Sequence, residues 1–382
     1  MKKIGNQSYI LTNPVTILNT ASIVGPKEKA GPLNKYFDHC LEDEFWGEKS
    51  WEKAESKFIK ETISTAISKS NIASSDLDFC LAGDLLNQCI SSSFGVRDSN
   101  IPFLGIFGAC STFVESMLIG SMIIDGDFGN KVACASSSHF CSAEKQFRFP
   151  LELGNQRPPS SQWTVTGSGC SILSKEGNGP YIKILTPGKI VDMGIKDCNN
   201  MGAAMAGAAL DTLVTHFQDT GRNSSYYDAI FTGDLGYIGK DILIEMSLTK
   251  GYNIKSNYND CGVLIFDKEK QDTHSGGSGC GCISTVFSGY IYKKMKEKKY
   301  KKVLLIATGA LMNSTSFQQG ESIPGIAHAI SIEIWYFSLQ FYLIYYLNLF
   351  VGGDVYIDPL IIKIPQNKKL YKGRFLWIFL IL

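Results

Sequence analysis

A cysteine stands among small residues in GACST (Gly108–Thr112), where an apolar run gives way to a helix-like pattern. A thiol at the first turn of a helix faces the positive end of the helix dipole, which lowers its pKa and favours the nucleophilic thiolate. Cys110 is therefore expected to line a pocket; the competing reading, an inert buried thiol, fits the other ten cysteines. Asp84 and Asn87 fall in LAGDLLNQ. Asp84 either caps the next helix or meets a ligand, and Asn87, able to donate and accept, is the easier direct contact. Ser136, Ser137 and Ser138 end a strand-like run and precede His139, while His328 sits in GIAHA. A lone histidine is more often structural, yet either could donate to a carboxylate. Cys280 and Cys282 form C-x-C beside a glycine-rich turn. Zinc would need two further ligands; Cys261 is one possibility and no fourth is evident. The glycines are better suited to turning backbone N–H groups toward an anion. GGSG lacks the Gly-Lys-Ser/Thr ending of a phosphate loop. Arg148 and Arg157 flank a proline-containing loop, where an arginine could grip a carboxylate or serve a dimer surface. Trp163 is expected in the core rather than stacked on a ligand.

The elements that must position these residues are used twice. DLDFCLAGDLLNQ (Asp76–Gln88) resembles YDAIFTGDLGYIG (Tyr227–Gly239), each a short apolar run ending in Gly-Asp-Leu. FGACSTFVESMLIGSMIIDGDFGNKVACASSS (Phe107–Ser138) parallels Gly276–Ala310, with Cys110 against Cys282 and Ser136 against Thr308 at one offset. Amphipathic helices precede both Gly-Asp-Leu strands. Ser50–Lys69 places Trp51, Ala54, Phe58, Thr62 and Ala66 on one face, and Met201–Gly221 stops at a glycine. Alternating helix and strand predicts parallel pairing with crossover helices, and two copies predict a pseudo-twofold pair. The helix after Cys110 is apolar almost all round and belongs in the middle of a core.

Length and composition narrow the classes. The chain has 382 residues and a net charge of +1, enough for a large core and no electrostatic footprint for nucleic acid. The densest basic run, Tyr292–Val303, reads as a solvated helix end. Eleven scattered cysteines in apolar surroundings read as reduced thiols. The opening MKKIGNQSYILTN has no apolar stretch after its lysines, so no secretory signal is expected.

These motifs together resemble the thiolase/ketoacyl-synthase superfamily: GACST is similar to its nucleophile turn, and TVTGSGCSIL (Thr164–Leu173) to its glycine-bearing hairpin strand. The resemblance implies an α/β thiolase fold, with duplicated βαβ halves forming a five-layer αβαβα sandwich. A narrower set, VGPKEKAGPL, LAGDLLNQ, IPFLGIFGACST, AEKQFRFP, GGSGCGC and ESIPGIAHA, resembles the stage V sporulation protein AD family, from near the N-terminus to about Glu333. That family serves endospore formation. The resemblance implies a non-catalytic binder of dipicolinic acid (pyridine-2,6-dicarboxylate) that helps load it, with calcium, into the developing spore. It implies a homodimer working peripherally on the cytoplasmic side of the spore inner membrane, in the mother cell or forespore, with membrane proteins of the same sporulation operon. No resident cofactor, catalytic residue or metal ligand is expected. The pocket is assigned to Asp84, Asn87, Cys110, Ser136, Ser138, His139, Cys280, Cys282 and His328. The alternative is an active acyl-transferring condensing enzyme with Cys110 as nucleophile. Acyltransferases of the ketoacyl-synthase III type place a histidine in the second-half loop after the strand, where TGDLGYIG has Gly233 and Asp234 instead. An acid cannot supply a neutral imidazole donor, which favours the binder.

The expected organisation is an N-terminal half over 1–190, a C-terminal half over 191–333 and an atypical tail over 334–382. Residues 334–353 carry no charge and could just span a bilayer. The tail is read as a membrane anchor, an extra packed segment or, preferentially, a frameshift product.

Overall fold

The computed structural model describes residues 1–147 and 157–334. Ten strands form one continuous path: β1 (Ser8–Val24), β2 (Phe79–Gly83), β3 (Phe103–Gly105), β4 (Lys131–Ser138), β5 (Gly167–Ser174), β6 (Tyr181–Thr186), β7 (Ala229–Thr232), β8 (Tyr258–Asp260), β9 (Lys302–Ala310) and β10 (Gly325–Glu333). Their spatial order is β8-β7-β9-β10-β6-β1-β5-β4-β2-β3. Read outward from the β1–β6 seam, the order 1-5-4-2-3 is repeated as 6-10-9-7-8, so the internal repeat of the sequence is a repeat of topology. Within each half the Gly-Asp-Leu strand pairs in parallel with both neighbours, and the last strand of the half runs antiparallel. The chain passes from one set of strands to the other between Ser174 and Tyr181, because β6 is the counterpart of β1.

Helices fill the layers between and outside these strands. The outer helix α1 (Trp51–Lys69) is capped by Ser50, whose side chain accepts the Lys53 N–H. It buries Ala54, Phe58, Thr62 and Ala66 as its periodicity predicted, leaves Trp51 of the same face half-buried, and packs on β1 and β5. Its counterpart α4 (Met201–Thr220) packs on β9 and β10 and ends at Gly221, whose φ of +64° is the left-handed conformation that a glycine C-cap provides. Between the halves lie α2 (Thr112–Asp125) and α5 (Cys280–Val286), the latter continuing through a π turn to Lys296. Phe113 of α2 meets Phe287 across this layer with ring centroids 5.8 Å apart. Helix α2 touches strands of both halves and buries Phe113, Val114, Met117 and Leu118 completely or nearly so. Two outer helix layers, two sheet layers and the central helices make the expected five-layer sandwich.

Among the described residues, no helix is long and apolar enough to cross a membrane. Arg148 and residues 335–382, and with them the readings of the tail, lie outside the described residues.

Candidate functional site

Cys110 belongs to a single 3₁₀ turn, Ala109–Ser111, immediately before α2 rather than to the α-helix itself. Ala109 holds φ at +52°, an uncommon conformation for a residue with a Cβ, and this bends the chain so that the thiol leaves the helix axis. Gly309 allows the approach from β9, since a Cβ there would stand 2.8 Å from the Gly108 carbonyl oxygen. The cavity beside Cys110 measures about 220 Å³. It is walled by the loops after β2 and β9, the helix α3 (Phe140–Phe147), and Thr164 and Ser278 of a two-strand ladder. Its polar lining is Asn87, Glu144, Gln146, Thr164, Ser278 and Asn313; Phe107, Phe147, Met201 and Met312 supply apolar surface.

Cys110 is 6% exposed, and burial, then the charges of Asp234 and Cys280, push its pKa well above the ordinary thiol value; a contact with the Gly279 N–H opposes them. The expectation of a lowered pKa from the helix terminus is thereby reversed: desolvation of a thiolate outweighs a partial dipole charge. Asp234 is fully buried and accepts hydrogen bonds from the Gly279 N–H at 2.9 Å, Thr308 Oγ1 at 2.8 Å and Ser278 Oγ at 3.3 Å. Its pKa is raised by burial, against the lowering effect of these donors and of Cys110. Gly279 keeps φ at +96°, and a Cβ there would meet Ser138 Oγ at 2.8 Å. Glycine is thus required where the two halves of the chain close on the cysteine.

Of the nine residues assigned to the pocket from sequence, Asn87 and Cys110 line the cavity. The others have structural partners. Asp84 accepts the Leu86 and Ser92 N–H groups and the Ser92 hydroxyl, at 2.7–2.9 Å, and so shapes the loop that carries Asn87. Ser136 donates to the Cys280 carbonyl, and Ser138 donates to the Val165 carbonyl while accepting the Gly281 N–H. The bonds to Cys280 and Gly281 fasten β4 to the second half. His139 accepts the Cys141 N–H at Nδ1, which leaves Nε2 to donate to the Glu44 carbonyl at 2.9 Å, and burial lowers its pKa. His328 accepts the Gly188 N–H at Nδ1, and burial lowers its pKa to about 4. Cys280 and Cys282 donate to the carbonyls of Ser137 and Gly233. Among the described residues, no group of three or more His, Cys, Asp or Glu could hold a metal ion.

Trp163 is half-buried rather than a core residue: Phe140 stacks on it with centroids 3.6 Å apart, and Lys27 and Arg157 place their charges against its ring. Sequence reasoning missed Glu144, Gln146, Thr164, Ser278 and Asn313. AEKQF did carry a signal, since Ala143, Glu144, Gln146 and Phe147 share one helical face. The contributions of Thr164 and Ser278 depend on a two-residue ladder that no periodicity announces.

Comparison with known sequences then decides the family. The profile of stage V sporulation protein AD matches residues 5–333. The chain belongs to the stage V sporulation protein AD family. It is 41% identical over 333 residues to stage V sporulation protein AD of Bacillus subtilis (strain 168), across 87% of this chain and 98% of that relative. The chain is therefore a sporulation-related protein on a thiolase-like fold. Solved structures agree on the fold. A variant of Xanthomonas campestris OleA superposes with a TM-score of 0.57 at 12% identity, covering 85% of this chain and 98% of its own. The 3-oxoacyl-[acyl-carrier-protein] synthase III of Aquifex aeolicus VF5 does so with a TM-score of 0.53 at 11% identity, covering 84% and 99%.

Proposed function

We propose that this protein binds dipicolinic acid in the cavity beside Cys110 and takes part in its passage, with calcium, into the developing spore. The observation that carries this reading is the cavity itself: small, lined by amides and hydroxyls, and placed against a buried thiol whose pKa burial raises. At about 220 Å³ it falls below the roughly 300–1,000 Å³ of drug-sized sites, which suits one small aromatic ring. Asn87, Gln146 and Asn313 offer amide groups that can meet carboxylate oxygens or a ring nitrogen. Phe107, Phe147 and Met201 offer faces to the ring. Among the described lining residues there is no Lys, Arg or His, and Glu144 adds a carboxyl. A free dianion meets unfavourable charge there, whereas calcium entering with it offsets that charge and takes oxygen ligands.

The protein acts as a binder rather than a condensing enzyme in this reading. Acyl transfer needs a thiolate and a donor for the thioester oxygen. Here the thiol pKa is raised, and Asp234 stands beside it. The protein works as a homodimer, peripherally at the cytoplasmic side of the spore inner membrane, beside membrane proteins of its operon. A surface suited to the second copy is the edge strand β3, where Leu104 is 42% exposed and nearby Phe94 is 54% exposed.

Calorimetric titration with dipicolinate, with and without calcium, tests the proposal, with picolinate and isophthalate as controls. Saturable binding that needs both carboxylates and the ring nitrogen, and is strengthened by calcium, is the expected result. No heat at millimolar ligand from folded protein refutes direct binding. A covalent acyl adduct on Cys110 after incubation with acyl-CoAs, seen by intact mass, returns the condensing enzyme.

A further inference from the structure

The run Lys293–Lys302, KKMKEKKYKK, holds seven lysines and one glutamate, so these ten residues carry +6 in a chain whose total is +1. A solvated helix end accounts for only part of it. The helix ends at Lys296, Lys298 turns the chain at φ +63°, and β9 begins at Lys302. Lysines therefore continue through the turn and into the strand, beyond reach of the helix dipole. Two of them are inward-facing: Lys294 is 8% exposed and bonded to Glu297 at 2.9 Å, and Lys302 lies 4.1 Å from the centre of the Tyr226 ring. Glu297 is thus already engaged, and Asp228 uses its carboxylate on the N–H groups of Lys301 and Lys302. Lys296, Lys298, Lys299 and Lys301 are exposed together on one turn, with Lys299 also 3.6 Å from Glu297.

From this geometry we infer that the Lys296–Lys301 turn is a docking surface for an anionic phospholipid bilayer. Clusters of four or more lysines attract the negative headgroup plane without needing a shaped site. The run contains lysine and no arginine, and lysine acts as a point charge rather than as the planar fork that selects individual phosphates. Tyr36, Tyr290 and Tyr300 are half-buried beside it, as tyrosines at a headgroup boundary are. Ile334, where an uncharged stretch of sequence starts, donates its N–H to the Lys301 carbonyl at 2.8 Å. Strand β9 runs from Lys302 at this surface to Ala310 in the cavity wall, a rise of about 26 Å. A molecule docked through the lysines keeps its cavity at the far end, turned away from the lipid. The inference holds whether or not the cavity takes dipicolinate.

Flotation of the full-length protein with vesicles tests it, comparing phosphatidylcholine alone with phosphatidylcholine containing phosphatidylglycerol. Wild-type protein is expected to bind the anionic vesicles in preference, and to lose that preference at about 1 M salt, where the screening length is near 3 Å. Each lysine near the surface is worth about fivefold in binding. The combined Lys296→Gln, Lys298→Gln, Lys299→Gln and Lys301→Gln variant should therefore lose at least about a hundredfold of the anionic preference. The same four positions changed to Arg should keep it, which separates charge from misfolding. Equal anionic preference in wild type and the Gln variant overturns the inference. So does equal binding to neutral and anionic vesicles, or tighter binding of duplex DNA than of anionic vesicles.

Discussion

Glu28 makes a prediction in which burial sets the magnitude. Its side chain is fully enclosed; Oε1 accepts the Thr166 N–H at 3.0 Å, and Oε2 has no hydrogen-bond partner. Burial is the largest influence and raises its pKa from 4.5 to about 8, with the Thr166 N–H acting in the opposite direction. At neutral pH the group is therefore mainly a neutral acid. A carboxyl whose folded pKa lies above its unfolded value binds its proton more tightly in the folded chain. Its contribution is complete below the unfolded value and is lost as pH rises through about 8. At about 1.36 kcal/mol per unit, the rise from 4.5 to about 8 corresponds to a ceiling of about 5 kcal/mol. That is large against the roughly 5–15 kcal/mol that holds a folded protein together.

Glu28→Gln keeps the shape and the acceptor for Thr166 but cannot ionise. At pH 5.5, one unit above 4.5, the variant should lead by only about 1.4 kcal/mol, offset by up to about 1 kcal/mol for the altered hydrogen bond. At pH 8.5 it should be the more stable protein by several kcal/mol. With an unfolding entropy of about 2.1 cal/mol/K per residue, a chain this size gains roughly 5–7 °C in Tm. Thermal unfolding of both proteins by intrinsic fluorescence at pH 5.5, 7.0 and 8.5 measures the difference. Glu55 and Asp260, also raised by burial, bend both curves alike, so only the difference between the proteins reports on Glu28. Parallel curves across the three pH values would refute the reasoning.

Four further expectations follow from the site and its frame. Native Cys110 should react with iodoacetamide at pH 7.5 far more slowly than a cysteine of the denatured chain, and Asp234→Asn should speed the reaction by removing a charge that opposes the thiolate; peptide mapping of the alkylated site reads both. Asn87→Ala should weaken dipicolinate by about 5- to 100-fold, the range for leaving one buried polar partner unmet, without lowering Tm by more than a few degrees. Phe113→Ala, which empties the contact between the central helices, should cost about 3–5 kcal/mol in denaturant unfolding. Combined Phe94→Glu and Leu104→Glu should convert a dimer to a monomer in light scattering; an unchanged mass would place any dimer contact elsewhere.

The sequence by itself determined the duplicated architecture and the family. Repeats survive as pattern because buried strands and amphipathic helices need apolar residues at a fixed period, whatever lies around them. Thus Ala54, Phe58, Thr62 and Ala66 lie buried on α1 as their spacing required, and Gly221 ends α4. Cys110 and Asn87 were legible as cavity residues because each follows a strand or turn that the repeat had already located. Asp84, His139 and His328 were not legible in the same way. A polar side chain beside a site motif can face the cavity or turn to the backbone, and only the neighbouring chain decides which. Asp84 turned to Ser92, His139 to Glu44 and Cys141, and His328 to Gly188. The state of the thiol was likewise a tertiary matter. A local rule about helix termini predicts activation, but Asp234 arrives from more than a hundred residues away and the surrounding layers exclude water. Electrostatic energy depends on distance and solvation, and both are set by packing rather than by adjacency in the chain.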